Sequence, residues 1–190
     1  KNNHFIKGVV GWIDLLNPSI DKDIETYKEQ KIVKGFRHIL QGAEKGFMLQ
    51  PNFIKGLKQL SKHHYTYDLL IYANQIQEAI ELIKAVEDLP IVLDHIAKPS
   101  IKTKSIEDWK RDIKSLAKYP KLYCKISGMA TEADWTTWNS EDLKPYLDIV
   151  VEAFGVDRLL FGSDWPVCLV ASSYERWLHT IKDYFKEKYP

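Results

Sequence analysis

Short runs rich in β-branched and aromatic residues alternate along this chain with longer segments whose apolar positions recur at three- and four-residue steps. That rhythm predicts parallel strands joined by crossover helices. Six strands are expected, at residues 5–15, 32–40, 65–72, 90–95, 122–127 and 158–162, each followed by a helix. The helical stripe is clearest over 76–86, where Ile76, Ala79, Ile80, Ile83 and Val86 share one face and should cover a sheet. Residues 21–30, 53–62, 106–118, 141–154 and 174–185 fill the other helical intervals, with Ser105 and Ser140 as expected N-caps. No low-complexity tract or Gly/Ser-rich linker interrupts the alternation, so residues 1–190 read as a single domain.

Strands flanked by crossover helices build either an open doubly wound sheet or a closed barrel. A nucleotide-binding open sheet needs a glycine-rich phosphate turn, and the chain contains no GxGxxG, GxxxxGK[ST] or GxSxG. Almost every expected strand ends instead in polar or ionisable residues: Asp14, Arg37 and His38, Asp68, Asp94 and His95, Lys125 and Ser127, Ser163 and Asp164. Such residues at the carboxyl ends of parallel strands form the rim on which a barrel enzyme builds its site. The expected fold is therefore α/β, a TIM (β/α)8 barrel of which about six units are present, two short of eight.

Composition narrows the partners. The 190 residues carry 27 Lys+Arg against 26 Asp+Glu, a net charge of +1, and the two signs alternate, so no basic field exists to collect nucleic acid. A hydrophobic fraction of 45% is enough for a packed core. The two cysteines, Cys124 and Cys168, sit in or just after apolar runs and read as reduced, buried thiols, which points to a reducing compartment. No apolar stretch approaches the roughly 20 residues of a membrane span, and no signal-peptide pattern follows the first residues. The expectation is a soluble, cytoplasmic protein with a small-molecule substrate, as a monomer or small homo-oligomer.

Two segments carry the candidate chemistry. In IVLDHIAKP (91–99) a strand runs directly into an ionisable cluster; strand alternation would send Asp94 and His95 to opposite faces. In LLFGSDWP (159–166) an apolar strand ends in Asp164, between a small residue and an aromatic. A buried carboxylate there needs a cation, a histidine, a metal or a raised pKa.

The runs DHIAKP (94–99) and LLFGSDWPV (159–167), with VVGWIDL (9–15) and KGFRHILQG (34–42), together resemble the amidohydrolase-related family. Within it they are most similar to the TIM-barrel branch of sugar-lactone and pyrone-dicarboxylate lactonases, predicted metal-dependent hydrolases. The resemblance covers about residues 5–177. It implies that His95 serves as a metal ligand or polarises the substrate carbonyl. It also implies that Asp164 contacts any bound metal and exchanges a proton with the attacking water. Arg37 and His38 would hold substrate hydroxyl or carboxylate groups, Lys98 would steady an anionic substrate, and Trp165 would face a sugar-like ring, with Trp12, Tyr72, Trp135 and Trp138 as further aromatics near the rims. One divalent, zinc-like ion at His95 and Asp164, or chemistry independent of metal, is the cofactor expectation.

The chain departs from the family pattern in lacking the His-X-His first strand that supplies two metal ligands, so the resemblance implies that it corresponds to about strands 3 to 8 of the barrel. His63 and His64 are adjacent and read as a polar helix end, Asp68 stands where metal-rich relatives place histidine, and no lysine has the context of a carbamylated bridge, so a binuclear centre is disfavoured. The resemblance thus implies lactone opening by an activated water. The alternative is a degenerate barrel that binds a ligand or partner without turnover.

Overall fold

The computed structural model describes residues 4–189. Its six strands are β1 (Val9–Gly11), β2 (Val33–Ile39), β3 (Thr66–Leu70), β4 (Ile91–Leu93), β5 (Leu122–Ile126) and β6 (Leu159–Phe161). They pair in chain order, every pair parallel. Six helices follow them in turn: α1 (Ile20–Glu25), α2 (Pro51–Lys62), α3 (Ile76–Ala85), α4 (Glu107–Leu116), α5 (Ser140–Phe154) and α6 (Tyr174–Lys188). An unreversed strand order is the topology of a barrel wall, because a doubly wound sheet changes direction part-way.

Register sorts the residues into two faces. Phe36, Tyr67, Ile91 and Leu122 are aligned neighbours, as are His38, Leu69, Leu93, Cys124 and Leu159 one step on, and this face meets the helices. Nearly all of these side chains are buried, as are Leu57, Ala79, Leu82, Ile113, Leu116 and Val150 on the helices that cover them. Burying a large aliphatic or aromatic side chain contributes about 1.5–3 kcal/mol each, so this interlayer packing holds the fold together. The other face aligns Arg37, Asp68, Val92 and Tyr123, with Lys125 one step beyond Tyr123.

Several sequence expectations shift by a residue or more. The first strand is short, and β4 ends at Leu93 rather than His95. Ser140 is the first residue of α5, and its cap is Asn139: the Asn139 side chain accepts from the Glu141 N–H while Asp142 accepts from the Asn139 N–H. Ser105 lies two positions before the start of α4, whose cap residue is Ile106, without a side-chain hydrogen bond. Cys124 and Cys168 are both free and buried. No helix among the described residues is long and apolar enough to cross a membrane.

Candidate active site

After β4 the chain enters a turn unlike a strand. His95, Ile96, Ala97 and Lys98 have φ of 52°, 49°, 58° and 47°, four successive left-handed residues with no glycine among them. A left-handed conformation costs an L-residue roughly 1–2 kcal/mol, so surrounding contacts must impose it. The Lys98 N–H donates to the His95 carbonyl at 2.8 Å, and the Trp109 indole donates to the Ile96 carbonyl at 2.9 Å. Leaving the strand this way overturns the expectation that Asp94 and His95 face opposite sides: both serve the inner rim.

Asp94 is fully buried and accepts from Lys125 at 2.5 Å and from Arg37 at 3.2 Å. Lys125 also donates to Asp68, on β3, at 2.8 Å. Burial alone would lower the Lys125 pKa, but Asp94 and Asp68 outweigh it and the ammonium is held charged. Burial pushes the Asp68 carboxyl up, against the opposing pull of Lys125. Arg37, Asp94, Lys125 and Asp68 thus form a chain of alternating charge across β2, β3, β5 and the turn after β4.

His95, only 6% exposed, lies above this chain of charges. Its Nδ1 is 2.7 Å from the Ser127 hydroxyl, and its Nε2 is 3.4 Å from Oδ1 of Asp164. Burial, helped by Lys98, Lys125 and Arg37 and opposed by Asp94, takes the imidazole pKa down to about 4, so the ring is neutral near pH 7. Asp164 follows β6 with φ of 57°, and its loop is tied down by the Trp177 indole donating to the Gly162 carbonyl at 2.7 Å and by the Cys168 N–H donating to the Asp164 carbonyl at 2.9 Å. Burial raises the Asp164 pKa, with Lys98 opposing. Its Oδ2 is buried without a hydrogen-bond partner. Gly128, two residues after β5 and at φ +60°, lets the chain approach both groups closely: a Cβ there would stand 2.9 Å from that Oδ2 and 3.0 Å from the His95 ring.

An orphaned carboxylate oxygen beside an imidazole nitrogen has the donor chemistry that suits a cation, so His95 and Asp164 are the side chains that could hold a zinc-like ion. No group of three or more His, Cys, Asp or Glu among the described residues could hold one.

The other expected site residues divide. Lys98 is largely buried, donates to Glu132 at 2.7 Å and flanks Asp164. Arg37 joins the cluster through Asp94. Trp165, at 65% exposure, borders the site as the neighbour of Asp164. His38 does not join: it belongs to the helix-facing register, where its ring stacks on Phe47 and meets Phe53 edge-on. Trp138 is core, buried under the Arg176 guanidinium and donating to the Ala171 carbonyl. Of the residues that complete the site, Gly128 and Glu132 are unmarked in the sequence, and Lys125 and Ser127 stand out there only as a polar strand end without an assigned role. Alternation along β5 carries the signal for two of them, since Lys125 and Ser127 fall opposite the apolar Leu122, Cys124 and Ile126.

The profile of the amidohydrolase family (Amidohydro_2) matches residues 1–186. The chain belongs to the amidohydrolase family. An L-fucono-1,5-lactonase of Burkholderia multivorans is 36% identical over 90% of this chain and 64% of its own length. An L-rhamnono-gamma-lactonase of Scheffersomyces stipitis is 27% identical over 83% of this chain and 53% of its own. Among solved structures, an amidohydrolase from Burkholderia multivorans with bound zinc superposes with a TM-score of 0.92 at 32% identity, covering 97% of this chain and 68% of that one. A probable 2-pyrone-4,6-dicarboxylic acid hydrolase from Acinetobacter baumannii, at 18% identity and a TM-score of 0.75, shares the fold. This amidohydrolase chain therefore spans less than two thirds of the length of the curated relatives it matches.

Proposed function

We propose that the chain is the larger part of a single-domain (β/α)8 hydrolase that opens a sugar lactone by attack of water on the ring carbonyl. The observation that carries this reading is the approach of His95 and Asp164, 69 positions apart in the chain, to 3.4 Å at one rim. Asp164, with a free and desolvated Oδ2, takes a proton from water as its oxygen bonds to the carbonyl carbon. The bond from carbon to ring oxygen then breaks, the proton passes from Asp164 to the departing alkoxide, and a hydroxy acid results. Neutral His95 donates to the developing oxyanion or holds the carbonyl in place. Were a zinc-like ion bound instead, His95 Nε2 and Asp164 would hold it, and it would supply an acidified water and a Lewis acid in place of the imidazole N–H donor.

Charge pairing favours an uncharged polyol lactone over a dicarboxylate. Each cation at the site already has a carboxylate: Arg37 has Asp94, Lys125 has Asp94 and Asp68, and Lys98 has Glu132. Arg37 and Trp165, both open to solvent, are suited to meet the hydroxyls and the apolar face of the ring. The lactonase names of the relatives support the same substrate class.

The test is proton release from L-fucono-1,5-lactone, L-rhamnono-gamma-lactone and 2-pyrone-4,6-dicarboxylate. The sugar lactones should be turned over and the dicarboxylate should not. Asp164→Asn should lower kcat on the order of 10²–10⁴-fold. Absence of turnover on every lactone would leave a ligand-binding barrel, and near wild-type kcat in Asp164→Asn would refute the assignment of the base.

A further inference from the structure

We infer that Ser127 is a positioning residue that fixes the tautomer of His95, so that the imidazole enters the site as a hydrogen-bond donor at Nε2. The tautomer rests on the geometry around Ser127 and on the buried ring being neutral; its consequence for rate rests on the lactone-opening reading above.

Ser127 is the first residue after β5 and is completely buried. Its Oγ lies 2.7 Å from His95 Nδ1, and among the described residues the hydroxyl has no other hydrogen-bond partner. Two arrangements share that distance. In one, Nδ1–H donates to Oγ, and the serine hydrogen is left in a sealed interior without an acceptor. In the other, the hydroxyl donates to the Nδ1 lone pair, and only acceptor capacity on Oγ goes unused. A buried donor without a partner is the rarer and costlier defect, so the second arrangement prevails. A neutral ring has one hydrogen, which then sits on Nε2, the nitrogen 3.4 Å from Asp164.

The surrounding backbone holds this geometry. Gly128 has no side chain to push the ring off Ser127, since a Cβ there would come within 3.0 Å of His95 Cγ and Nδ1. An Nε2–H beside the carboxylate is placed to donate to the carbonyl oxygen of a bound ester as negative charge develops there. Coordination of a cation through Nε2 would require the reverse tautomer, with Nδ1–H donating to Ser127 and the serine hydrogen redirected.

The experiment labels the histidines of the full chain with ¹⁵N and records the ring nitrogens after chelation of metal, with His95 assigned by the signal lost in His95→Asn. The wild-type ring should show hydrogen on Nε2 and a bare Nδ1. Ser127→Ala should lose or reverse that preference and lower kcat on the order of 10–100-fold, with KM little changed. Ser127→Cys, whose thiol still donates weakly, should fall between. An Nδ1–H signal in the wild type, or an unaltered ring spectrum in Ser127→Ala, would overturn the inference. Because the spectrum needs no substrate, it decides the tautomer even if no lactone is hydrolysed, and backbone amide spectra of the variants establish that they are folded.

Discussion

At the scale of single residues, the same side-chain type has opposite uses on opposite faces of the sheet. His95 has a partner at Nδ1 and a reactive neighbour at Nε2, whereas His38 has a buried Nδ1 with no partner and lies among Phe47, Phe53 and Trp12. Burial holds the His38 pKa below its ordinary value, with Asp14 opposing. The folded ring therefore stays neutral while the unfolded chain takes up a proton near pH ~6.5. Below that pH the unfolded state binds more protons, so stability is complete above it and declines as pH falls towards the lowered folded value. His38→Phe keeps an aromatic ring and removes both the orphaned nitrogen and the titration. It should leave stability at pH 7 unchanged or raised, and urea midpoints measured from pH 7 to pH 5 should fall less steeply than in the wild type. An equal slope would show that His38 does not contribute to the acid sensitivity.

At the scale of elements, what the sequence made legible was whatever depends on periodicity. Six strands and their order follow from alternation that the parallel register requires, and Asp164 was visible because a polar residue ending an apolar strand is conspicuous. The turn at 95–98 was hidden because nothing in HIAK marks a left-handed path: it is imposed by Asp94, Trp109 and the packing of the rim. Register also separates Arg37 from His38, which adjacency in sequence conceals. Arg158 illustrates the same limit. In sequence it only opens the last strand, but in the fold its guanidinium donates to the carbonyls of Ala117 at 2.9 Å, Tyr119 at 2.9 Å, Leu122 at 3.2 Å and Phe154 at 3.1 Å. It thereby joins the ends of α4 and α5 to the start of β5. Arg158→Met should cost about 3 kcal/mol, because hydrogen bonds from a charged group contribute roughly 1.5–3 kcal/mol and several carbonyls lose their donor together. Chemical denaturation reads this directly, and a loss below about 0.5 kcal/mol would show that water replaces the guanidinium.

At the scale of the whole molecule, the strand order is held by two different kinds of contact. Apolar layers bind the helices to one face, while on the other the charges of Arg37, Asp94, Lys125 and Asp68 cross from β2 to β5 without an apolar core of their own. Replacing a buried ion network by apolar groups is often tolerated, but removing one member strands the others, at roughly 3–5 kcal/mol. Lys125→Met leaves Asp68 without its cation and Asp94 with Arg37 alone, so it should be strongly destabilising. Asp68→Asn in the same chain removes one stranded charge, and the double variant should be more stable than Lys125→Met by an amount that simple addition of the single effects does not give. Urea unfolding of the four proteins completes the cycle. Strictly additive losses would mean that Lys125 and Asp68 act independently, and that the inner face of the sheet is held in register by its backbone alone.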